Sequence, residues 1–137
     1  MKTTILVCTV LLGYVVAAPQ YTAEYFKVHQ ECQADSKYLI SDMTVFQELE
    51  YEKKKPSEVK IPSNFNDHMF CMYNKLGIVD DKGKINESVA VDKLKSFFEK
   101  PSSSATIVAE CSASASASTG AAAVSGAFYF CLLESFA

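Results

Sequence analysis

Four cysteines constrain this chain more than anything else in it: Cys32, Cys71, Cys111 and Cys131 remain once a leader is removed, an even set in a 137-residue polypeptide. The leader is read from residues 1–17. They open with Lys2, run apolar from Ile5 to Val16 and reach small residues at Val15 and Ala17, the pattern of a secretory signal peptide. Cleavage after Ala17 is favoured over cleavage after Ala18, because Pro19 would directly follow the later cut. Cys8 leaves with the leader. The apolar run is shorter than the roughly 20 residues of a membrane-spanning helix, and no later segment replaces it, so no membrane insertion is expected. Residues 18–137 then form one secreted, extracellular domain in an oxidising compartment, where four cysteines have three pairings open to them.

Without Lys2 the chain carries 12 basic against 16 acidic residues, a net charge of −4. A balance of that sign argues against nucleic acid and against anionic membrane as partners. A domain of this length buries roughly two-thirds of its unfolded surface, enough for a single core that gains from covalent staples.

Apolar spacing along the domain is helical and punctuated by caps and breakers. Thr22 caps a first helix with Tyr25, Val28 and Cys32 on one face and Phe26 beside them. Ser41 or Asp42 starts a short second helix with Met43, Phe46 and Leu49 on one side. The charged residues 50–55, closed by Pro56, read as a solvated surface loop. Ser63 or Asn64 caps a third helix bearing Phe65, Met69, Met72 and Leu76, and Gly77 supplies its left-handed stop. After a turn with Asp80, Asp81 and Gly83, Asn86 caps a fourth helix carrying Ala90, Val91, Leu94, Phe97 and Phe98 until Pro101 ends it. Ser103 or Ser104 starts a fifth. The last helix, residues 121–133, is apolar nearly all round and so belongs in the middle of the bundle.

Residues 112–126 are almost only Ser, Ala and Gly. Strict Ser/Ala alternation has a strand-like or silk-like reading. The favoured reading is the end of one helix and the start of the next, with Thr119 and Gly120 at the turn and small side chains letting helices approach or leaving room for a guest.

The segment Cys71-Met72-Tyr73-Asn74-Lys75-Leu76-Gly77, followed by Asp80-Asp81-Lys82-Gly83-Lys84-Ile85, resembles the stretch after the third of six cysteines in the insect odorant-binding proteins. The resemblance spans essentially the whole domain. Asp67 and Ala122 stand where the family's second and fifth cysteines would fall, so the pattern is similar to the four-cysteine, or C-minus, subgroup. The interval from Cys32 to Cys71 is longer than is common in the family, and the Ser/Ala tract is atypical. By that resemblance Cys32 pairs with Cys71 and Cys111 with Cys131. The implied fold is all-α, a compact bundle of about six helices around an apolar cavity, stapled by two disulfides. The implied function is carriage of a small hydrophobic ligand such as an odorant, pheromone or fatty acid, with olfaction as one setting, no cofactor, and a monomer or weak homodimer as the carrier.

The residues fit that chemistry. An apolar guest requires a concave, mostly hydrophobic lining, and Met side chains adapt to guests of varied shape. The candidates for the lining are Phe65, Met69, Met72, Leu76, Leu94, Phe98, Ile107, Val108, Val124 and Phe128. Other constellations carry less. His29 and His68 read as helix-face histidines before they read as a release switch. Asp67-His68 near Cys71 resembles acid/base pairs of secreted lipases, yet no nucleophile elbow or calcium loop accompanies it, so an enzyme is not expected. Placing Gly83 at the sixth position of an EF-hand would put Ile78 at the first, which excludes that motif. No zinc spacing or phosphate loop occurs, and Asn86-Glu87-Ser88 is a glycosylation sequon at a helix cap. The rivals to a carrier are a structural or silk-associated protein and a protein that acts on a partner protein.

Overall fold

Local capping chemistry sets where the helices begin in the computed structural model, which describes residues 22–98 and 101–136. The expected leader and its cleavage point lie outside the described residues. The Thr22 hydroxyl oxygen accepts from the Tyr25 amide at 3.1 Å and opens α1, Ala23–Gln33. Asp42 accepts from the amide and hydroxyl of Thr44 and opens α2, Thr44–Phe46, which continues as a π-helical turn over Gln47–Tyr51. Helix α3 spans Phe65–Lys75 and ends at Gly77, whose φ of 77° is the left-handed conformation that a side chain would strain. The Asn86 side chain caps α4, Glu87–Leu94, by accepting from Val89 N–H at 3.2 Å. Helices α5, Ser104–Ala115, and α6, Ala121–Phe136, complete the six.

Local expectations change at several points, and the fourth helix is shorter than expected: α4 ends at Leu94, Lys95–Phe97 form a 3₁₀ turn and Phe98 is extended. Asn64 does not cap α3; its amide instead donates to the carbonyl of Leu39 at 2.8 Å and ties down the preceding loop. The second helix does not bury Met43, which is 45% exposed, but Val45, Leu49 and Glu50. The widened i→i+5 turn is the reason, since it turns the adjacent Leu49 and Glu50 both inward. Glu50 therefore leaves the predicted surface loop and is buried, its carboxylate accepting from the Tyr129 hydroxyl of α6 at 3.1 Å.

The Ser/Ala tract is helical rather than extended. Ser116, Ser125 and Ser135 each donate a hydroxyl to the carbonyl four residues earlier, so serine enters a helix, and at Ser125 a fully buried position, without an unpaired group. A turn at residues 116–120, with Gly120 at φ 96°, reverses the chain between α5 and α6. Helix α6 packs chiefly on α3 and α5 and buries Val124, Phe128, Tyr129 and Leu132, as expected of a helix without a polar face. Among the described residues there is no sheet, only a single antiparallel bridge between Val79 and Ile85. Gly83 in that turn combines a φ of 86° with an approach in which a Cβ would lie 3.1 Å from the Ala121 backbone, so the turn abuts the start of α6.

Cys32 is bonded to Cys71 and Cys111 to Cys131, with Cα separations of 6.0 and 5.5 Å. The first bridge fastens α1 to α3 and the second α5 to α6. Their spans of 39 and 20 residues correspond to roughly 4 and 3 kcal/mol of lost unfolded-state entropy. Replacing Cys32 and Cys71 together by Ser is expected to lower unfolding free energy by more than the same change at Cys111 and Cys131. Urea denaturation of the two double variants checks the order, and the reverse order would refute the loop-length account.

His68 on α3 is fully buried, and burial together with the neighbouring His29 pushes its pKa down to about 4 despite the opposing Tyr38 carbonyl. The unfolded chain, titrating near 6.5, takes up a proton that the fold refuses, so stability present above pH 6.5 is lost as pH falls toward 4. Between pH 7 and 4.5 His68 should remove about 2 kcal/mol. Urea midpoints at the two pH values should separate less in His68→Leu than in the native protein, and an equal separation would rule the effect out.

Candidate ligand pocket

A pocket of about 240 Å³ lies where α1, α2 and α3 meet. Tyr25, Phe26 and His29 come from α1, spaced so that one helical face supplies them. Phe46, Gln47, Glu50 and Tyr51 come from α2 and its π turn, with Met43 just before them. His68, Met69 and Met72 come from α3. The π turn matters here, because without the added residue Glu50 and Tyr51 would fall at other angles around the helix.

The wall is mostly apolar and its mouth is open to solvent. Phe26, Met43 and Tyr51 are 54, 45 and 42% exposed, and all three rim this one pocket. The interior holds an aromatic cluster in which His29 stands edge-on to both Phe46 and His68, with centroids 5.7 and 5.1 Å apart. Polar groups are few. Glu50 is held by Tyr129, and its charge, after burial, raises the pKa of Tyr51 and of the fully buried Tyr73. His68 Nδ1 lies 2.7 Å from the Tyr38 carbonyl, while its Nε2 is buried with no hydrogen-bond partner among the described residues. Burial also lowers the pKa of His29, so both rings favour the neutral form.

Of the ten residues singled out from the sequence, Met69 and Met72 line this pocket. Phe65 stands behind it, its ring 5.7 Å from that of Phe46 and 5.4 Å from those of Tyr129 and Phe130. Leu76, Leu94, Phe98, Val108, Val124 and Phe128 are buried in the contiguous core, and Ile107 packs half-buried against it. The pocket residues outside those ten are those of α1 and α2, Met43 before them, and His68 of α3. The available signal was apolar residues beyond a single helix face, as in Phe26 beside Tyr25 and Val28.

A second, open groove of about 760 Å³ runs along residues 74–88 and is lined by Asp80, Asp81, Lys84 and Glu87 among others. Its charges do not suit an apolar guest. The Asn86-Glu87-Ser88 sequon lies along it, exposed. Among the described residues no cluster of His, Cys, Asp or Glu could hold a metal ion. No helix among them is long and apolar enough to cross a membrane.

Comparison with curated proteins and with solved structures gives no match. Comparison with protein families gives one, to the PBP/GOBP family over residues 17–135, and with it agree the six helices, the two bridges and the mostly apolar pocket. The chain therefore belongs to the PBP/GOBP family, the insect odorant-binding carriers.

Proposed function

We propose that the protein is a secreted, non-enzymatic carrier that reversibly binds a small hydrophobic molecule, of odorant, pheromone or fatty-acid type, in the pocket between α1, α2 and α3. The observation that carries this reading is a concave, mostly apolar pocket with Met69 and Met72 in its wall and exposed apolar side chains at its mouth. Phe26, Met43 and Tyr51 gather their exposed apolar surface at one mouth, and apolar surface gathered in one place marks a binding site more than scattered side chains do. Family membership supports carriage, since family members bind small hydrophobic ligands. Secretion is supported by the leader pattern of residues 1–17, by two disulfides and by a family match that begins at residue 17.

A guest that buries roughly 400 Å² of apolar surface gains about 10 kcal/mol. Immobilisation removes part of that, which leaves an affinity of about micromolar order. The structural or silk-associated alternative loses its main support, because the Ser/Ala tract forms helices. A protein partner seated on the exposed rim is the remaining rival reading.

An apolar fluorescent probe is expected to bind one to one, and Met69→Trp to weaken it at least about tenfold by filling the pocket, a difference of about 1.4 kcal/mol or more. Circular dichroism should stay helical. Lys54→Ala, at a residue paired with Glu48 outside the pocket, should change affinity little. Unaltered binding in Met69→Trp would move the ligand away from this pocket, and absence of any probe binding would favour the protein-partner reading.

A further inference from the structure

His68 is a pocket residue whose chemistry apolar packing does not account for. Its ring is fully buried, yet Nε2 has no hydrogen-bond partner among the described residues. A buried polar atom left unpaired is destabilising by an amount comparable to a lost hydrogen bond, and it marks a place where a ligand group can do better than the empty protein. The tautomer follows from the other nitrogen. A carbonyl oxygen only accepts, and Nδ1 lies 2.7 Å from that of Tyr38, so Nδ1 carries the proton and Nε2 presents a lone pair. His68 is part of the pocket wall and Tyr38 is not.

We propose that His68 selects the polar end of the guest: Nε2 accepts a hydrogen bond from a hydroxyl, and the pocket thereby favours aliphatic alcohols over ethers, aldehydes or carboxylates of equal chain length. This rests on the carrier reading above. The second buried polar group of the wall points the same way, since the Glu50 carboxylate is also an acceptor and repels an anionic head. An acceptor-only guest would be served only by a second proton on the ring, which burial opposes, or by moving the imidazole proton to Nε2. That shift would set the Nδ1 lone pair against the Tyr38 carbonyl at 2.7 Å, a repulsive arrangement. The depressed basicity of the ring keeps it neutral, so a lone pair remains to be used at physiological pH. Nε2 is covered in the present arrangement, and Met69 and Met72, which share the pocket wall with His68, are flexible side chains that can shift to admit a head group.

The test is displacement of diphenylhexatriene, a hydrocarbon probe without polar atoms, by 1-dodecanol, its methyl ether and dodecanoate. The alcohol is expected to compete about fivefold better than the ether, the effect of one hydrogen bond, and dodecanoate worst. In His68→Phe the alcohol and the ether should compete equally with each other, whatever the variant's own affinity for the probe. Side-chain proton–nitrogen correlation spectra of the unaltered protein supply a reading that no variant can spoil. They should show the Nδ1-protonated tautomer of His68 and an Nε2 resonance that moves with dodecanol but not with the ether. Equal competition by alcohol and ether, an advantage that survives in His68→Phe, or the opposite tautomer would each overturn the inference while leaving the carrier reading intact. Failure of the hydrocarbon probe to bind would overturn both.

Discussion

The bridge between Cys32 and Cys71 is the constraint on which the rest of the molecule depends. It joins α1 to α3 at buried positions, and these two helices supply six of the residues around the pocket. A short domain has little apolar surface to spare for enclosing empty space, because each void forfeits dispersion contacts along its walls. Covalent closure of a long loop raises the free energy of the unfolded state instead, so the native state can tolerate an imperfectly filled interior. The second bridge does the same for α5 and α6, and α6 in turn packs against α3.

Around that frame the buried polar groups fix how the helices sit. Glu50 and the Tyr129 hydroxyl meet across the core, so α2 is held to α6 by a directional contact rather than by apolar packing alone. His68 is held to the Tyr38 carbonyl and leans on His29 and Phe46, which sets the ring at the junction of three helices. Gln33 and Asn64 serve the loop between α1 and α2, Gln33 bonding both backbone groups of Ile40 and Asn64 the carbonyl of Leu39. That loop carries the chain from the first pocket wall to the second. Polar contacts of this kind contribute modestly to stability, but leaving one unmade is expensive, and so they specify one arrangement.

Much of this was legible in the residues. Thr22 and Asn86 act as caps because a short oxygen-bearing side chain before an apolar run satisfies the first free amides, a purely local matter. Gly77 ends α3 by its own conformational freedom. The pocket was less legible. Met69 and Met72 follow from helical spacing, whereas Phe128 and Val108 have the same spacing and pack inside the core. Periodicity tells which face of a helix turns inward and carries no information about whether that face meets a neighbour or a space.

The sequence by itself determined the helices, their order, the all-α class and the set of four cysteines, because caps, glycine stops and apolar periodicity act within a few residues of the chain. Only the tertiary structure decided that Glu50 goes inside and that Nε2 of His68 has no partner among the described residues. Each of these turns on what a distant segment presents: a Tyr129 hydroxyl 79 residues away and a Tyr38 carbonyl 30 residues back. Such meetings depend on how helices cross in space, and no pattern within a single helix encodes that crossing.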